Sequence, residues 1–191
     1  VRILAALLCV GLASCTSFGT VKNCTLHIQV ENGSCSATVI GPHAILTAAH
    51  CLSWPYTLRI GYQPARVKRA MLDGNDHIIL IVDRTFPRWV LLGTADQGDQ
   101  VSIIGNPGNL SEQYRHGYVA GRLSERGKLA TTYDLRIYLG DSGAGIFNTY
   151  GNLTGVVSFI YTQDSDAGVL TMAGSYPLAF TAKQWREARS L

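Results

Sequence analysis

Apolar runs of strand length, separated by turn residues, recur along most of the chain. Ser36-Ala37-Thr38-Val39-Ile40 leads into Gly41-Pro42-His43 and a second apolar run, which predicts a hairpin. Asp76 opens His77-Ile78-Ile79-Leu80-Ile81-Val82, closed by Asp83. Val101-Ser102-Ile103-Ile104 stops at Gly105-Asn106-Pro107-Gly108-Asn109, a strong turn signal, and Gly117-Tyr118-Val119-Ala120-Gly121-Arg122-Leu123 starts another strand. Further on, Ile146-Phe147-Asn148 is separated from a strand at Leu153-Thr154-Gly155-Val156-Val157-Ser158-Phe159-Ile160 by a Thr149-Tyr150-Gly151-Asn152 turn. Only the carboxyl end departs from this pattern. There Thr181-Ala182-Lys183-Gln184 has the form of a capping box, opening a short helix through Trp185 and Ala188, with Trp185 as a packing anchor. The pattern predicts an all-β protein with a short C-terminal helix, and no internal repeat interrupts it.

The amino end follows a different rule. Arg2 precedes the apolar run Ile3 to Ala13, which is too short to span a bilayer comfortably and reads as a signal peptide over residues 1–14. Leu12-Ala13-Ser14-Cys15 resembles a bacterial lipobox, in which Cys15 would be lipidated; cleavage after Ala13 by the ordinary signal peptidase is the competing reading. Residues 15–33 are read as an N-terminal segment ahead of a domain spanning 34–191.

Composition narrows the function classes. With 191 residues, 47% hydrophobic and only 15% charged, the chain can bury a sizeable core and is not a disordered segment. A formal charge of +3 implies no nucleic acid, and Arg66-Val67-Lys68-Arg69 is a solvated strand face rather than a binding patch. Export would place Cys15, Cys24, Cys35 and Cys51 in an oxidising compartment. Cys35 and Cys51 flank the first hairpin and are the best pair, whereas Cys24 can pair with Cys15 only if Cys15 is not lipidated.

The chemistry concentrates at Gly140-Asp141-Ser142-Gly143-Ala144-Gly145. A serine hydroxyl is a poor nucleophile at neutral pH and needs a base, an orienting acid and donors for a developing oxyanion. Glycines at 140, 143 and 145 allow a sharp turn that exposes Ser142 and aims the amides of Gly140 and Ser142 at one point. Upstream, Leu46-Thr47-Ala48-Ala49-His50-Cys51 supplies a histidine, and no ligand cluster with metal spacing accompanies it.

These two motifs, in this order and with this cysteine spacing, resemble the chymotrypsin-like (trypsin-type) serine proteases, and the tight spacings resemble the short bacterial members, over roughly Ser34 to Phe180. The resemblance implies two antiparallel six-stranded barrels with a boundary near residues 90–100 and the site in the cleft between them. It implies His50 as general base, Ser142 as nucleophile, a histidine-loop disulfide Cys35–Cys51, and an oxyanion hole at Gly140 and Ser142. Of Asp73, Asp76 and Asp83, the acid followed by an apolar strand is Asp76; Asp73 belongs to a turn and Asp83 to the surface. Ser158 matches the serine that supports the acid, and Ser158, Phe159 and Ile160 match a pocket wall that pairs with extended substrate.

The function implied is a serine endopeptidase acting on protein or peptide substrates, without metal or cofactor, as an exported monomer. It would be secreted, periplasmic, or tied to an outer membrane or cell surface only through an N-terminal lipid. The alternative is a catalytically silent binding or adhesion lipoprotein of protease shape. No Ile-Val-Gly-Gly start is present, and Val21-Lys22-Asn23 is a poor substitute, so Asp141 is expected to find an internal partner. Arg136 and Ile137 fall at the expected pocket base and wall. Arg136 would favour acidic side chains, but strand alternation, Asp134 and Ile160 favour a shallow apolar pocket accepting small or medium aliphatic residues.

Overall fold

In a computed structural model of the chain, which describes residues 17–31, 33–166 and 168–190, the first half closes on itself. Its strands are β1 (Thr25–Val30), β2 (Gly33–Gly41), β3 (Ala44–Ala48), β4 (Thr57–Ile60), β5 (Gln63–Leu72) and β6 (His77–Val82). They form a closed antiparallel barrel in the order β1-β2-β3-β6-β5-β4, sealed by the pairing of β1 with β4. Every residue of β3 and β6 is buried, which explains why the sequence there runs apolar without alternation. Each such buried Ile or Leu contributes about 1.5–3 kcal/mol.

A strand-poor stretch, residues 83–99, leads to the second half. It contains β7 (Gln100–Gly105), β8 (Gln113–Glu125), β9 (Lys128–Asp134), β10 (Gly145–Asn148), β11 (Leu153–Val156), β12 (Phe159–Ser165) and β13 (Gly168–Ser175). These make one sheet in the order β11-β10-β7-β8-β9-β13-β12, seven strands where a second six-stranded barrel was expected. The extra strand has a local cause. Leu153 to Ile160, read as one strand, breaks at Val157-Ser158, whose amides donate instead to Ala144 O and Gly174 O, both at 2.9 Å. That break separates β11 from β12; Val157 is buried there and Ser158 lines the cleft.

Two helices complete the fold. One, α1 (Ser17–Cys24), was not expected; it buries Val21 and Cys24 against the barrel core. With β1 it draws part of the segment 15–33 into the domain, since the barrel cannot close without β1. Cys24 has no disulfide partner among the described residues, and burial pushes its thiol up to about 11 against an opposing effect of Arg88. The signal-peptide reading of residues 1–14 and the lipidation of Cys15 lie outside the described residues.

The other helix, α2 (Ala182–Ser190), starts at the expected capping box: Gln184 N donates to Thr181 Oγ1 at 3.2 Å, and Thr181 N donates back to Gln184 Oε1 at 2.8 Å. It docks on β2, where a Cβ at Gly41 would fall 1.9 Å from Ala188 O, so the close approach requires glycine. Trp185 packs edge-on against Phe180 at 5.4 Å.

Candidate active site

His50 sits in a single 3-10 turn, Ala49–Cys51, at the end of β3, and Asp76 stands immediately before β6. β3 and β6 are paired, with Ala48 opposite His77, so the sheet register itself brings the two side chains together. His50 Nδ1 lies 2.8 Å from Asp76 Oδ2 and 3.1 Å from Oδ1, and the His50 amide donates to Oδ1 at 3.0 Å. A carboxylate so placed accepts from Nδ1–H and leaves Nε2 as the basic nitrogen. Asp76 holds φ = +74°, a left-handed conformation that costs a non-glycine residue about 1 kcal/mol or more. Its carbonyl is pinned by the Ala49 amide at 2.7 Å. Asp73 and Asp83 do not reach His50: Asp83 Oδ1 accepts from Arg66 N at 2.9 Å, and Asp73 is occupied by the Asn75 and His77 amides, the His77 ring and the Ala179 amide.

The histidine turn is stapled by the Cys35–Cys51 disulfide, whose Cα atoms are 6.3 Å apart. Closing a loop of this size contributes about 3 kcal/mol in the chain-entropy account. His50, Cys51, Gly140 and Ser142 line one cavity of about 440 Å³. His50, Asp76, Ser158, Phe159 and Ile160 line a second of about 570 Å³. The two meet at His50, so a single cleft runs past the histidine with Ser142 on one side and the β12 wall on the other.

The turn that carries Ser142 is held from several directions. Gly140 has φ = +102°, and a Cβ there would lie 2.4 Å from Asn106 O. Leu139 O accepts from Gly108 N at 2.9 Å; in a trans peptide this turns the Gly140 N–H the opposite way, away from Gly108. Asp141 N, Gly143 N and Ala144 N donate to Tyr138 O, Val157 O and Asp141 O, whereas the amides of Gly140 and Ser142 have no protein acceptor among the described residues. Two amides without an acceptor, that of Gly140 and that of the half-buried Ser142 itself, are the kind of donor pair that an oxyanion requires.

Several residues of this scaffold were not singled out by sequence. Ser36, buried on β2, donates from its amide to Ser142 O and from Oγ to Gly140 O, both at 2.9 Å, and its Oγ accepts from Asn106 N and Nδ2 at 3.1 and 2.9 Å. The first half of the chain thereby fixes the serine turn in the second. Asp141, fully buried, receives a bidentate pair from Arg115, Nη1 to Oδ2 and Nη2 to Oδ1, each 2.6 Å, and Tyr138 N donates to Oδ2 at 2.8 Å. Gly105 makes room for this pair: a Cβ there would fall 2.1 Å from Asp141 Oδ1. The signals were present but read otherwise, since Gly105 and Asn106 also suit an ordinary turn.

The expected wall residues divide. Ile160 is partly exposed on the cleft, and Phe159 packs over Gly174 and against Tyr176 at 5.0 Å. Ile137 is buried in the second core with Val157 and Ala173. Arg136 is exposed in a separate outer groove with Asp134 and Tyr118, away from His50 and Ser142. Ser158 differs from expectation: its Oγ donates to Val156 O at 3.0 Å and meets His77 Nε2 at 3.1 Å, not Asp76. No three His, Cys, Asp or Glu side chains converge as a metal site among the described residues.

A closed β-barrel and a seven-stranded antiparallel sheet that share a cleft of this kind define a two-lobed β peptidase fold. The chain belongs to the trypsin-like peptidase family: the trypsin-like peptidase domain matches residues 35–156, well over half of its length. Among solved structures it is similar to the Rv3671c protease of M. tuberculosis. The active form superposes with a TM-score of 0.71 at 20% identity, covering 88% of this chain and 82% of that one. The inactive form gives 0.69 at 18% identity, covering 99% and 100%, and a mutant in its inactive form gives 0.67 at 18%, covering 94% and 93%. At these identities the likeness establishes the fold. No curated protein matches the chain at comparable significance.

Proposed function

We propose that the chain is a serine endopeptidase in which Ser142 attacks the scissile carbonyl, His50 takes its proton and then delivers it to the leaving amine, and Asp76 holds the imidazole in the working tautomer. The observation that carries this reading is the paired His50–Asp76 contact at 2.8 Å facing Ser142 across one cleft. The acyl-enzyme forms as the carbonyl oxygen, negatively charged in the intermediate, accepts from the amides of Gly140 and Ser142. Water then repeats the sequence with His50 as base. An active-site serine probe such as a fluorophosphonate tests it: one equivalent should attach at Ser142, and Ser142→Ala should abolish both labelling and peptide cleavage while the protein stays folded. A folded wild-type protein that neither labels nor cleaves any member of a broad peptide library would instead be a silent binding module.

For the residue before the cut bond we propose a small or medium aliphatic side chain. Arg136 is exposed outside the cleft, and Phe159, lying over Gly174, and Ile160 put apolar side chains on the β12 wall of a cavity that Glu125 and Arg126 also line. One methylene in such a pocket is worth about 1–3 kcal/mol, so a peptide-library profile should show a graded preference among Ala, Val and Leu. Dominant cleavage after Glu, Asp, Lys or Arg would refute it.

A further inference from the structure

From the barrel interior to the cleft wall at Ser158 runs a second Asp-His-Ser line that the proposed chemistry does not use. Asp73 Oδ2 is 2.7 Å from His77 Nδ1, and His77 Nε2 is 3.1 Å from Ser158 Oγ. The Asp73 and His77 side chains are wholly buried. Burial opposes a charge on Asp73, but the His77 ring and the amides of Asn75 and Ala179 outweigh it, and the carboxyl is held below its ordinary range.

The line joins the two halves of the site. At one end, Asp73 Oδ1 accepts from the amides of Asn75 and His77, at 2.7 and 3.1 Å, bracketing Asp76 between them. At the other, Ser158 follows Val157, whose carbonyl accepts from Gly143 N at 2.9 Å, and Gly143 follows Ser142. The acid comes from the barrel, the nucleophile from the seven-stranded sheet, and the His77 ring is the side chain that spans them at this depth. The Asp76 carboxylate, meanwhile, accepts only from the backbone and ring of His50 among the described residues. Its backbone, at φ = +74°, is held by the Ala49 amide on its carbonyl and by the Asp73 carboxylate on the amides of its two chain neighbours.

We propose that Asp73, His77 and Ser158 act as a buried positioning relay, with His77 setting the separation and orientation of Asp76 and Ser142. The proposal rests on the serine endopeptidase reading. His77 is a positioning residue that touches neither substrate nor Ser142; its effect reaches the reaction through the peptide bond to Asp76 and through the Ser158-Val157-Gly143 connection.

The test compares wild type with His77→Leu, Ser158→Ala and the double variant, measuring kcat and KM separately on a peptide that wild type cleaves, the rate of fluorophosphonate labelling, and thermal stability. A displacement of reacting groups by ~1 Å costs about 100-fold. Accordingly kcat and the labelling rate should fall about 10- to 100-fold in His77→Leu at temperatures where it is folded, with KM changed less than threefold, on the order expected when ground-state binding is intact. The double variant should be no slower than His77→Leu, because one end of a severed relay has nothing left to lose. A brace that matters only for stability would lower the melting temperature and leave kcat of the folded protein untouched, which overturns the proposal. Should His77→Leu not fold, Ser158→Ala alone decides: unchanged kcat and labelling rate overturn it. Wild-type protein that fails to label at Ser142 is a different result, and it overturns the endopeptidase reading rather than the relay.

Discussion

Asp76→Asn should reduce turnover by about 10⁴ while leaving the fold intact. The Asn carbonyl can still accept from the His50 amide, which now donates to Asp76 Oδ1 at 3.0 Å, so the turn at Ala49–Cys51 keeps its anchor. The amide NH2, however, faces Nδ1 where a carboxylate oxygen stood at 2.8 Å. Two donors cannot share that contact, so Nδ1 becomes the acceptor and the proton moves to Nε2, the nitrogen that must accept from Ser142. Asp83→Asn is the control. Asp83 accepts only a surface amide contact from Arg66 N, and an Asn oxygen does this equally well, so kcat should change less than about twofold on the scale of ordinary surface substitutions. Steady-state kinetics on the two purified variants separates them, and a larger loss in Asp83→Asn would remove Asp76 from the mechanism.

The parts of this site that were legible in the sequence are those in which chemistry dictates residue type locally. A glycine-framed serine, a histidine beside a cysteine, and an acid opening an apolar strand each carry their signal within six residues or so, an estimate that follows from how short such motifs are. The all-β class was legible because strand length and turn residues repeat through the chain, whereas the closed barrel came only from the resemblance to chymotrypsin-like proteases. What was not legible depends on contacts distant in sequence. Ser36 looks like any polar position in a half-buried strand until β2 is laid against the serine turn, where its Oγ meets Gly140 O. In sequence His77 is one residue of the strand that Asp76 opens, and nothing local pairs it with Asp73, which reads as a turn former; Asp73 does both, with Oδ1 shaping the turn and Oδ2 receiving the ring. The seven-stranded sheet escaped for a related reason. Val157-Ser158 has strand-like composition, and it is where the chain changes partner, Val157 N donating to Ala144 O beside β10 and Ser158 N to Gly174 O of β13.

Arg115→Met should cost about 3–5 kcal/mol of stability and, in whatever fraction remains folded, about 10²–10³ in kcat. The stability loss follows from Asp141, whose fully buried carboxylate would keep one backbone donor, Tyr138 N, and lose both guanidinium contacts. The activity loss follows from chain position: Asp141 lies between Gly140 and Ser142, the two residues whose amides have no acceptor among the described residues and which the proposed mechanism uses, so a carboxylate seeking other donors or water displaces both. Arg115→Lys should recover part of the stability and less of the activity, because one ammonium cannot reproduce two parallel contacts of 2.6 Å. The same geometry predicts that no proteolytic activation is needed. In the resemblance to digestive enzymes, the acid before the serine would await a newly made amino terminus, yet here its oxygens are taken by Arg115 and Tyr138 N. Val21, the nearest candidate for such a terminus, is buried within α1, and its carbonyl accepts from Thr25 Oγ1 at 2.9 Å. Protein purified with residues 17–24 uncut should therefore hydrolyse peptide and label at Ser142 at its full rate, with Arg115→Met inactive in the same preparation. Amino-terminal sequencing of the active material decides it: activity that appears only after cleavage near Val21, and that survives Arg115→Met, would show that Asp141 is held by a new terminus and that the Arg115 pair belongs to a resting form.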